Sequence, residues 1–279
     1  MRLPLYFFLI AITALCIREI TLLPDGKLHV YMLDVDQGDS YLIVTPSGKQ
    51  IVLDGGPNLR TLEHLGDYMP FFDRNIEMII MTHPDSDHIT SLPHILQRYT
   101  VDTIVLSGAL HNSGRYSELL HAIPRAVNTI LIADPSKDIL FDGITLDIVW
   151  PPKEVLGTKP RSQNNQSVVV RMFYGEHSIL FTGDIERAAE DAILASGADI
   201  QSDVMTVPHH GSRTSSSTGF LLAVSPQTAL LSAGRDNTYG HPHADVVERY
   251  GLLGIPIKTT QEFGTVSMEF KKGLQRVQR

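Results

Sequence analysis

The sequence predicts an α+β fold in which β-sheets are covered by helices, and three observations support this. Short apolar runs of strand length alternate with segments of helical periodicity after residue 27. Polar clusters recur directly after the predicted strands, where loops on a rigid scaffold carry function. No linker-like segment interrupts the chain beyond that residue. The 279 residues, 43% of them hydrophobic, provide ample core for such a fold.

The first half of the fold is predicted as short strands with three helices. Apolar runs bounded by turn residues predict strands at 27–34, 40–45, 50–54, 78–81, 102–106, 129–132 and 145–150. Helices are expected at 61–72, 89–98 and 115–122. In the second of these, Ile89, Leu92, Ile95 and Leu96 form one apolar face.

The second half continues this pattern after a polar loop at 151–166. Strands are predicted at 167–174, 178–181, 203–207, 228–232, 256–259 and 265–270, and helices at 186–195 and 244–253. Residues 271–279 are predicted to be a solvated basic tail, with Lys271, Lys272, Arg276 and Arg279.

Residues 1–20 are predicted to be a signal peptide or an N-terminal membrane anchor. Arg2 precedes an apolar run of 15 residues, 3–17, which Arg18 and Glu19 end. The run is shorter than the roughly 20 residues of a spanning helix and closer to the core of a secretory signal. A cleavage pattern of small residues is missing, so an uncleaved anchor and a buried first helix stay open. Export or anchoring is favoured because no other apolar run is as long.

Charge and cysteine content exclude several kinds of site. The formal net charge of −8 argues against a strong non-specific grip on nucleic-acid phosphates. It does not exclude a nucleic-acid substrate, because a bound metal ion adds positive charge. Cys16 is the only cysteine, so the chain has neither an intrachain disulfide nor a cysteine-rich zinc site. A metal ion would have to bind histidine and carboxylate side chains.

Four side chains that can bind metal lie in one predicted strand-to-helix turn: His83, Asp85, Asp87 and His88. Imidazole nitrogen and carboxylate oxygen both suit zinc or manganese, and a tight turn brings several of them to one point. The alternative is a helix N-terminus capped by Asp85 or Asp87, but a cap requires one carboxylate and no histidine. This turn is the strongest indication of function in the chain.

Four other strand ends carry similar chemistry: Asp54, Asp184, the pair His209 and His210, and His241. Adjacent histidines before Gly-Ser are unusual in a structural turn and favour a metal or catalytic role. His241 alone would be weak, because a single loop histidine is usually solvated. Five of the 12 histidines lie in these turns, and the others are scattered singly.

In this order, the motifs resemble the metallo-β-lactamase fold superfamily, and more closely the hydrolase domain of ComEC-type bacterial DNA-uptake proteins and their stand-alone relatives. The matching segments are 34–40 (Asp-Val-Asp-Gln-Gly-Asp-Ser), 83–88 (His-Pro-Asp-Ser-Asp-His), 164–167 (Asn-Asn-Gln-Ser), 182–184 (Thr-Gly-Asp), 209–212 (His-His-Gly-Ser) and 239–242 (Tyr-Gly-His-Pro). The resemblance covers residues 28–270 and implies a hydrolase domain with the αββα four-layer sandwich fold, two mixed β-sheets flanked by helices.

Two positions depart from the usual pattern of this family. Asp36 stands where glycine is usual, and Thr90 and Ser91 stand where two glycines are usual. Asp36 adds a carboxylate near the expected site, which could repel a phosphodiester or contact a metal ion. The departure concerns substrate preference more than metal binding.

The resemblance implies two divalent metal ions, zinc or manganese. The first ion would be bound by His83 and Asp85, with His210 or His209 as a further ligand. The second would be bound by Asp87, His88 and His241. Asp184 would bridge the two ions. Asp85 stands where the superfamily usually has histidine, and this harder ligand favours manganese. Asp54 is expected to lie behind the ligands and to hydrogen-bond the ligand loop.

Two such ions imply hydrolysis by a metal-bridging hydroxide. Asp87 would orient this nucleophile, and whichever of His209 and His210 does not bind metal would donate a proton to the leaving oxygen. Substrate contacts are predicted for Asn164, Asn165, Ser167 and Ser212, with the alternative that they only hold loop backbone.

We therefore expect a metal-dependent hydrolase, a phosphodiesterase or nuclease that acts on nucleic acid or a small phosphodiester. Export would place it in the periplasm or outside the cell, or on a bacterial membrane if residues 1–20 are retained. Small esters, such as a phosphorylcholine ester, a thioester or a lactone, are the alternative substrates, since the net charge is negative and no aromatic-basic stripe is present. A non-catalytic binding module on the same scaffold should have lost some of the metal-ligating side chains, yet every expected position here has a competent one. No obligate protein partner is evident from the sequence.

Overall fold

Two mixed β-sheets of seven strands each form the centre of the structure, a computed structural model that describes residues 3–272. The first sheet contains β1 (Leu28–Met32), β2 (Tyr41–Val44), β3 (Gln50–Leu53), β4 (Asn75–Ile80), β5 (Thr100–Leu106), β6 (Val127–Ile132) and β14 (Val266–Phe270). The second contains β7 (Ile139–Phe141), β8 (Ile144–Trp150), β9 (Val169–Tyr174), β10 (His177–Phe181), β11 (Val204–Thr206), β12 (Thr228–Leu231) and β13 (Ile257–Thr259).

The two sheets share one plan, an antiparallel half joined to a parallel half. The first sheet has the order β14-β1-β2-β3-β4-β5-β6 and is parallel from β3 to β6. The second has the order β13-β12-β11-β10-β9-β8-β7 and is parallel from β10 to β13. The first and last strands, β1 and β14, pair with each other in the same sheet. The parallel halves determine where the strand ends converge.

Helices, most of which cover the outer faces of the two sheets, complete the described part of the chain. They are α1 (Leu3–Thr21), α2 (Arg60–Tyr68), α3 (Ser86–Ile89), α4 (Leu92–Arg98), α5 (Gly114–Ala126), α6 (Arg187–Ser196), α7 (Thr218–Val224), α8 (Ala244–Leu252) and α9 (Thr260–Phe263), with short 3₁₀ turns at Lys153–Val155, Asn164–Gln166 and Pro208–Gly211. One apolar core lies between the sheets, a second between the first sheet and α2, α4 and α5, and a third between the second sheet and α6, α7 and α8. The predicted two-sheet sandwich is confirmed.

The structure differs from the predicted elements at several places. The helix predicted at 89–98 is two helices, α3 and α4, and the first begins inside the ligand turn at Ser86. Pro93 lies in the first turn of α4, where a residue without a backbone N–H is tolerated. Strand β7 and helices α7 and α9 were not predicted, because three to seven residues are too few to show a clear period.

Two predictions concern the ends of the chain, the N-terminal apolar segment and the basic tail. Helix α1 exposes its large apolar side chains, including Phe7 and Ile20, so the alternative of a buried first helix is wrong. Its C-terminal end contacts the body of the protein, where Glu19 accepts a hydrogen bond from the backbone N–H of Phe71 (2.9 Å). Among residues 3–272, no helix is both long enough and apolar enough to cross a membrane. In the predicted basic tail, residues 273–279 lie outside the described residues.

Candidate metal centre

The candidate ligands lie at the carboxyl ends of parallel strands. Asp54 follows β3, His83 to His88 follow β4, Asp184 follows β10, His209 and His210 follow β11, and His241 lies in the loop after β12. Because parallel neighbours run in one direction, their carboxyl ends meet at one edge of each sheet. The face-to-face packing of the sheets then brings the two edges together.

Asp184 is the centre of this cluster, and its carboxylate is 4% exposed. Its Oδ2 atom lies 3.4 Å from Nε2 of His88, 3.5 Å from Nε2 of His210, and 3.9 Å from Nε2 of both His83 and His209. One carboxylate from the second half of the chain is therefore surrounded by imidazoles from both halves.

Several buried atoms of this cluster lack a hydrogen-bond partner among the described residues. They are Nε2 of His83, His88 and His210, and Oδ1 of Asp184. An unsatisfied buried polar atom costs about 1–3 kcal/mol, so four in one place indicate a ligand. One ligand atom each from Asp87, His88, Asp184 and His210 lies within 4.8 Å of the others. This set of imidazoles and carboxylates fits a divalent metal ion.

Hydrogen bonds on the far side of two imidazoles direct Nε2 into the cluster. His88 Nδ1 lies 2.8 Å from Oδ2 of Asp54, and His210 Nδ1 lies 2.9 Å from the backbone carbonyl of Ser232. Metal-binding histidines usually donate the other ring N–H to a carboxylate or a carbonyl in this way. Asp54 itself is fully buried and also accepts from the backbone N–H of Thr82 (2.8 Å). It lies behind His88, away from the centre of the cluster.

The environment of His209 distinguishes it from His210, a choice that the sequence left open. The His210 side chain is 2% exposed and its Nδ1 is already hydrogen-bonded. The His209 side chain is 21% exposed, with Nε2 3.4 Å from Nδ2 of Asn164 and Nδ1 3.4 Å from Oγ1 of Thr214. The structure therefore favours His210 as the ligand and leaves His209 accessible to a substrate.

The backbone is strained where these side chains emerge. Asp54, His209 and His210 have φ values of 58°, 51° and 52°, in the left-handed region that non-glycine residues avoid. The two histidine rings end up 6.3 Å apart with planes at 69°. The strained turn lets adjacent imidazoles take different positions around Asp184. Such strain is typical of functional sites.

The more exposed candidate ligands lie on two sides of Asp184. Asp85 Oδ2 is 3.7 Å from Nε2 of His83, and Asp87 Oδ2 is 3.7 Å from Nε2 of His210. His210 thus lies with Asp87 and His88, the group that the resemblance assigns to the second metal. The resemblance implied that His210 or His209 joins His83 and Asp85 instead, and the sequence alone cannot orient the turn at 208–211.

His241 occupies the outer part of the cluster. Its ring centroid is 5.6 Å from that of His209 and 6.4 Å from that of His210, and its Nδ1 lies 3.5 Å from Nε2 of Gln37. It is 9% exposed, so this imidazole too is largely buried.

The carboxylates of the cluster raise the pKa of two of its imidazoles. Burial alone would lower the pKa of His210, but the carboxylates of Asp184 and Asp39 raise it to about 9. Asp184 likewise raises the pKa of His88 well above its usual value, against the effect of burial. Burial, together with the neighbouring His88, lowers the pKa of His83 to about 3. Positive charge on His88 and His210 thus offsets the carboxylates where a divalent cation would do so.

The four predicted substrate contacts have different positions. Asn164 lines the cavity above the cluster. The side-chain oxygen of Asn165 accepts two backbone N–H groups at the start of α6 (3.0 and 3.2 Å). The Ser167 hydroxyl is buried between the backbones of Asn164 and Asp184, and the Ser212 hydroxyl is bonded within its own loop. The geometry therefore favours the alternative, a loop-holding role, for all except Asn164.

Above the cluster opens a cavity of about 620 Å³. Its lining includes residues that the site prediction did not contain: Gln37, His111, Arg115 and Tyr239. Gln37 and Tyr239 lie in motifs that had been recognised, but no sequence pattern marks His111 or Arg115. Helix α5 positions Arg115 at the cavity, where its guanidinium donates to Oγ1 of Thr90 (2.8 Å).

The family model of the metallo-β-lactamase superfamily matches residues 33–235. The chain belongs to this superfamily. It is 28% identical over 260 residues to ComE operon protein 3 of Bacillus subtilis (strain 168), covering 87% of this chain and 33% of that protein. It is 26% identical over 261 residues to Competence protein ComA of Neisseria gonorrhoeae, covering 92% and 34%. The chain thus spans about a third of the length of these relatives.

Structural similarity supports the same assignment of fold. The metallo-β-lactamase fold protein YhfI from Bacillus subtilis aligns with a TM-score of 0.56 at 11% identity, covering 88% of this chain and all of that one. The predicted resemblance to the superfamily and to competence proteins is confirmed by these comparisons.

Proposed function

We propose that this metallo-β-lactamase superfamily hydrolase is a phosphodiesterase of the nuclease type. The observation that carries the proposal is the cavity that joins the buried cluster around Asp184 to the guanidinium of Arg115. A diester phosphate is anionic and presents oxygens that both an arginine and divalent cations bind. A carboxylic ester has no charge for Arg115 to pair with. The similarity to a protein named for competence supports DNA as the substrate.

The residues that would hold two divalent ions, zinc or manganese, are His83, Asp85, Asp87, His88, Asp184, His210 and His241. When bound, such ions would lower the pKa of water and offset the negative charge that develops on the substrate oxygens. The carboxylates of Asp87 and Asp184 and the free Nε2 atoms of the buried imidazoles are the atoms available to them.

Asp87 and two further side chains would act on the attacking water or on the substrate. Asp87 is partly exposed in the cavity and would accept a hydrogen bond from the attacking water, orienting it. His209 faces the same cavity and would donate a proton to the leaving oxygen. Arg115 would hold a non-bridging oxygen of the phosphate.

A second candidate is a small phosphoester with a cationic group, such as a phosphorylcholine ester. A cavity of about 710 Å³ lies beyond Gln37, which also lines the metal cavity. Its charged lining is Asp34, Asp36, Glu63, Asp236, Arg60 and Arg235, four carboxylates against two guanidiniums. This net charge of −2 (2 − 4) would attract a cationic group. Asp36, with φ of 69°, stands here and forms an ion pair with Arg60 (2.9 Å).

The test is hydrolysis by the 279-residue chain after chelation and reloading with manganese or zinc. Substrates would be single-stranded DNA, double-stranded DNA, bis-p-nitrophenyl phosphate and p-nitrophenyl phosphorylcholine. Metal-dependent cleavage of DNA that is lost in Asp87→Ala is the expected result. Cleavage of the phosphorylcholine ester without cleavage of DNA would instead support the second candidate.

We also propose that the protein acts outside the cytoplasm and associates with a membrane through α1. The exposed apolar side chains of this helix support the proposal, since water contact of so many is unfavourable. Cell fractionation and N-terminal sequencing of the mature protein would test it. Recovery of the protein in the cytoplasmic fraction would contradict the proposal.

A further inference from the structure

A third cavity, of about 490 Å³, lies beside the metal cavity on the other side of His209. Nε2 of His209 is close to Asp184 (3.9 Å), whereas its Nδ1 is 3.4 Å from Oγ1 of Thr214 and 3.7 Å from Oε1 of Glu186. Thr214 and Glu186 both line the third cavity. His209 therefore separates two adjacent cavities and contacts residues of each.

Arginine side chains dominate the charge of this third cavity. Arg187, Arg213 and Arg249 line it, and Glu186 is the only carboxylate among its lining residues. We call it the arginine pocket, defined by these three arginines. A local excess of positive charge is unusual in a chain with a formal net charge of −8.

The three guanidiniums are in different states. Arg249 is held in place, because it donates to the backbone carbonyl of Ser216 (2.7 Å). Arg187 forms an exposed ion pair with Asp191 (2.9 Å), a kind of pair that contributes little and exchanges easily. Arg213 makes no side-chain hydrogen bond or ion pair with any residue between 3 and 272. At least two of the three are thus available to an anion.

Glu186 offsets one of the three positive charges of the arginine pocket, and among the described residues it forms no ion pair with these arginines. Oε2 of Glu186 accepts hydrogen bonds from Asn165 (3.1 Å) and from the hydroxyl of Ser162 (3.2 Å). Asn165 is the sequence neighbour of Asn164, which lines the metal cavity. The loop that carries both asparagines therefore links the two cavities.

We propose that the arginine pocket binds a second phosphate of the substrate, so that the site takes a polyphosphodiester strand. This rests on the proposed function. A strand with one phosphate at the metal cluster would pass His209 and place a neighbouring phosphate between Arg187 and Arg213, where guanidinium groups can bind it in a bidentate manner. The acidic cavity beyond Gln37 repels phosphate, so the strand extends only towards the arginine pocket.

The test compares a substrate that has neighbouring phosphates with one that has none. The ratio of kcat/KM for a 12-nucleotide thymidine strand to kcat/KM for bis-p-nitrophenyl phosphate is measured in the wild type and in Arg187→Ala/Arg213→Ala. The ratio should fall by about 10-fold or more, mainly through KM, and the salt dependence of strand cleavage should weaken. The double variant Arg98→Ala/Arg125→Ala removes two exposed arginines from α4 and α5 and should leave the ratio unchanged.

An unchanged ratio in Arg187→Ala/Arg213→Ala, or an equal fall in the control variant, would overturn the arginine pocket while both substrates are still cleaved. A binding measurement distinguishes a failure of the arginine pocket from a failure of the proposed function. Fluorescence anisotropy of a labelled phosphorothioate strand, which keeps its negative charges and resists hydrolysis, is measured on the metal-loaded protein with and without the two arginine substitutions. Weaker binding with the substitutions supports the pocket even if no hydrolysis is found. Equal binding, or no binding, overturns it.

Discussion

The metal centre has a buried floor and a partly exposed rim, and these two regions are held in different ways. The floor consists of His83, His88, Asp184 and His210, and the rim consists of Asp85, Asp87, His209 and His241. Floor side chains are at most 4% exposed, whereas the side chains of Asp85 and Asp87 are 38% and 32% exposed. The floor is part of the packed structure, and the rim faces a cavity.

Substitutions in the floor and in the rim should therefore have different effects on stability and on activity. A floor residue is fixed by hydrogen bonds on its far side, such as those from His88 to Asp54 and from His210 to Ser232, so its loss disturbs both fold and metal binding. A rim residue has few such bonds, so its loss should affect chemistry with little effect on stability. The following predictions test this division, starting with the largest effect.

Asp184→Ala should abolish metal binding and hydrolysis together. The substitution removes the carboxylate that lies within 3.9 Å of the imidazole nitrogens of His83, His88, His209 and His210. We expect turnover to fall at least about 1000-fold. Metal content by mass spectrometry and turnover of bis-p-nitrophenyl phosphate are the measurements. Asp138→Ala, at an exposed position outside the site, is the control. A variant that retains its full metal content would contradict the central position of Asp184.

Asp87→Ala should abolish hydrolysis while the protein stays folded. Asp87 is a rim residue whose side chain is 32% exposed and whose contact with His210 is long (3.7 Å), so the free energy of unfolding should change by about 1 kcal/mol or less, whereas turnover should fall about 1000-fold. Circular dichroism with urea titration and an activity assay measure the two quantities. An unfolded Asp87→Ala protein would show that the rim, too, is structural.

Asp54→Asn should weaken metal binding without removing it. Both carboxylate oxygens of Asp54 are acceptors, Oδ1 from the N–H of Thr82 and Oδ2 from His88. In the variant, the asparagine oxygen would still accept from the N–H of Thr82, so the amide nitrogen would face Nδ1 of His88. The amide would donate a hydrogen bond to Nδ1 and favour the tautomer that carries its hydrogen on Nε2. An Nε2 atom that carries hydrogen cannot bind metal. We expect affinity to fall about 10- to 100-fold in a chelator competition assay. An unchanged affinity would mean that Asp54 does not orient His88.

The metal-free protein should lose stability as the pH rises from 6.5 to 9. The pKa of His210, which faces Asp39, Asp87, Asp184 and His88, is raised from 6.5 to about 9. Because folding raises this pKa, protonation of His210 stabilises the folded state. The contribution is fully present below pH 6.5 and is lost as the pH passes 9. The size is at most about 3 kcal/mol, at about 1.4 kcal/mol per pKa unit.

Urea unfolding of the chelated protein at pH 6 and pH 9 measures this loss. The metal-loaded protein is the control, because metal binding has already displaced the protons and its stability should depend less on pH in this range. Equal or higher stability of the chelated protein at pH 9 would contradict the assignment of charge to the floor.

The sequence by itself determined the fold family and grouped most of the candidate ligands. His83, Asp85, Asp87 and His88 are neighbours in one turn, so no knowledge of packing was needed to group them. Asp184, the histidine pair and His241 could be added because each follows a strand or lies in a motif whose order is typical of the superfamily. Local spacing and motif order can be recognised in the sequence, because each motif requires only a strand and the turn that follows it.

Only the tertiary structure decided which neighbours each side chain has. The preference for His210 over His209 as the candidate ligand depends on the carbonyl of Ser232, which is distant in sequence. Ser167 is buried against the backbone of Asp184, so its hydroxyl holds the ligand loop. Arg115 and the three arginines of the arginine pocket lie outside the motifs, even where the segment beside them carries one. Such contacts form when two sheets pack, and no local sequence pattern encodes the pairing.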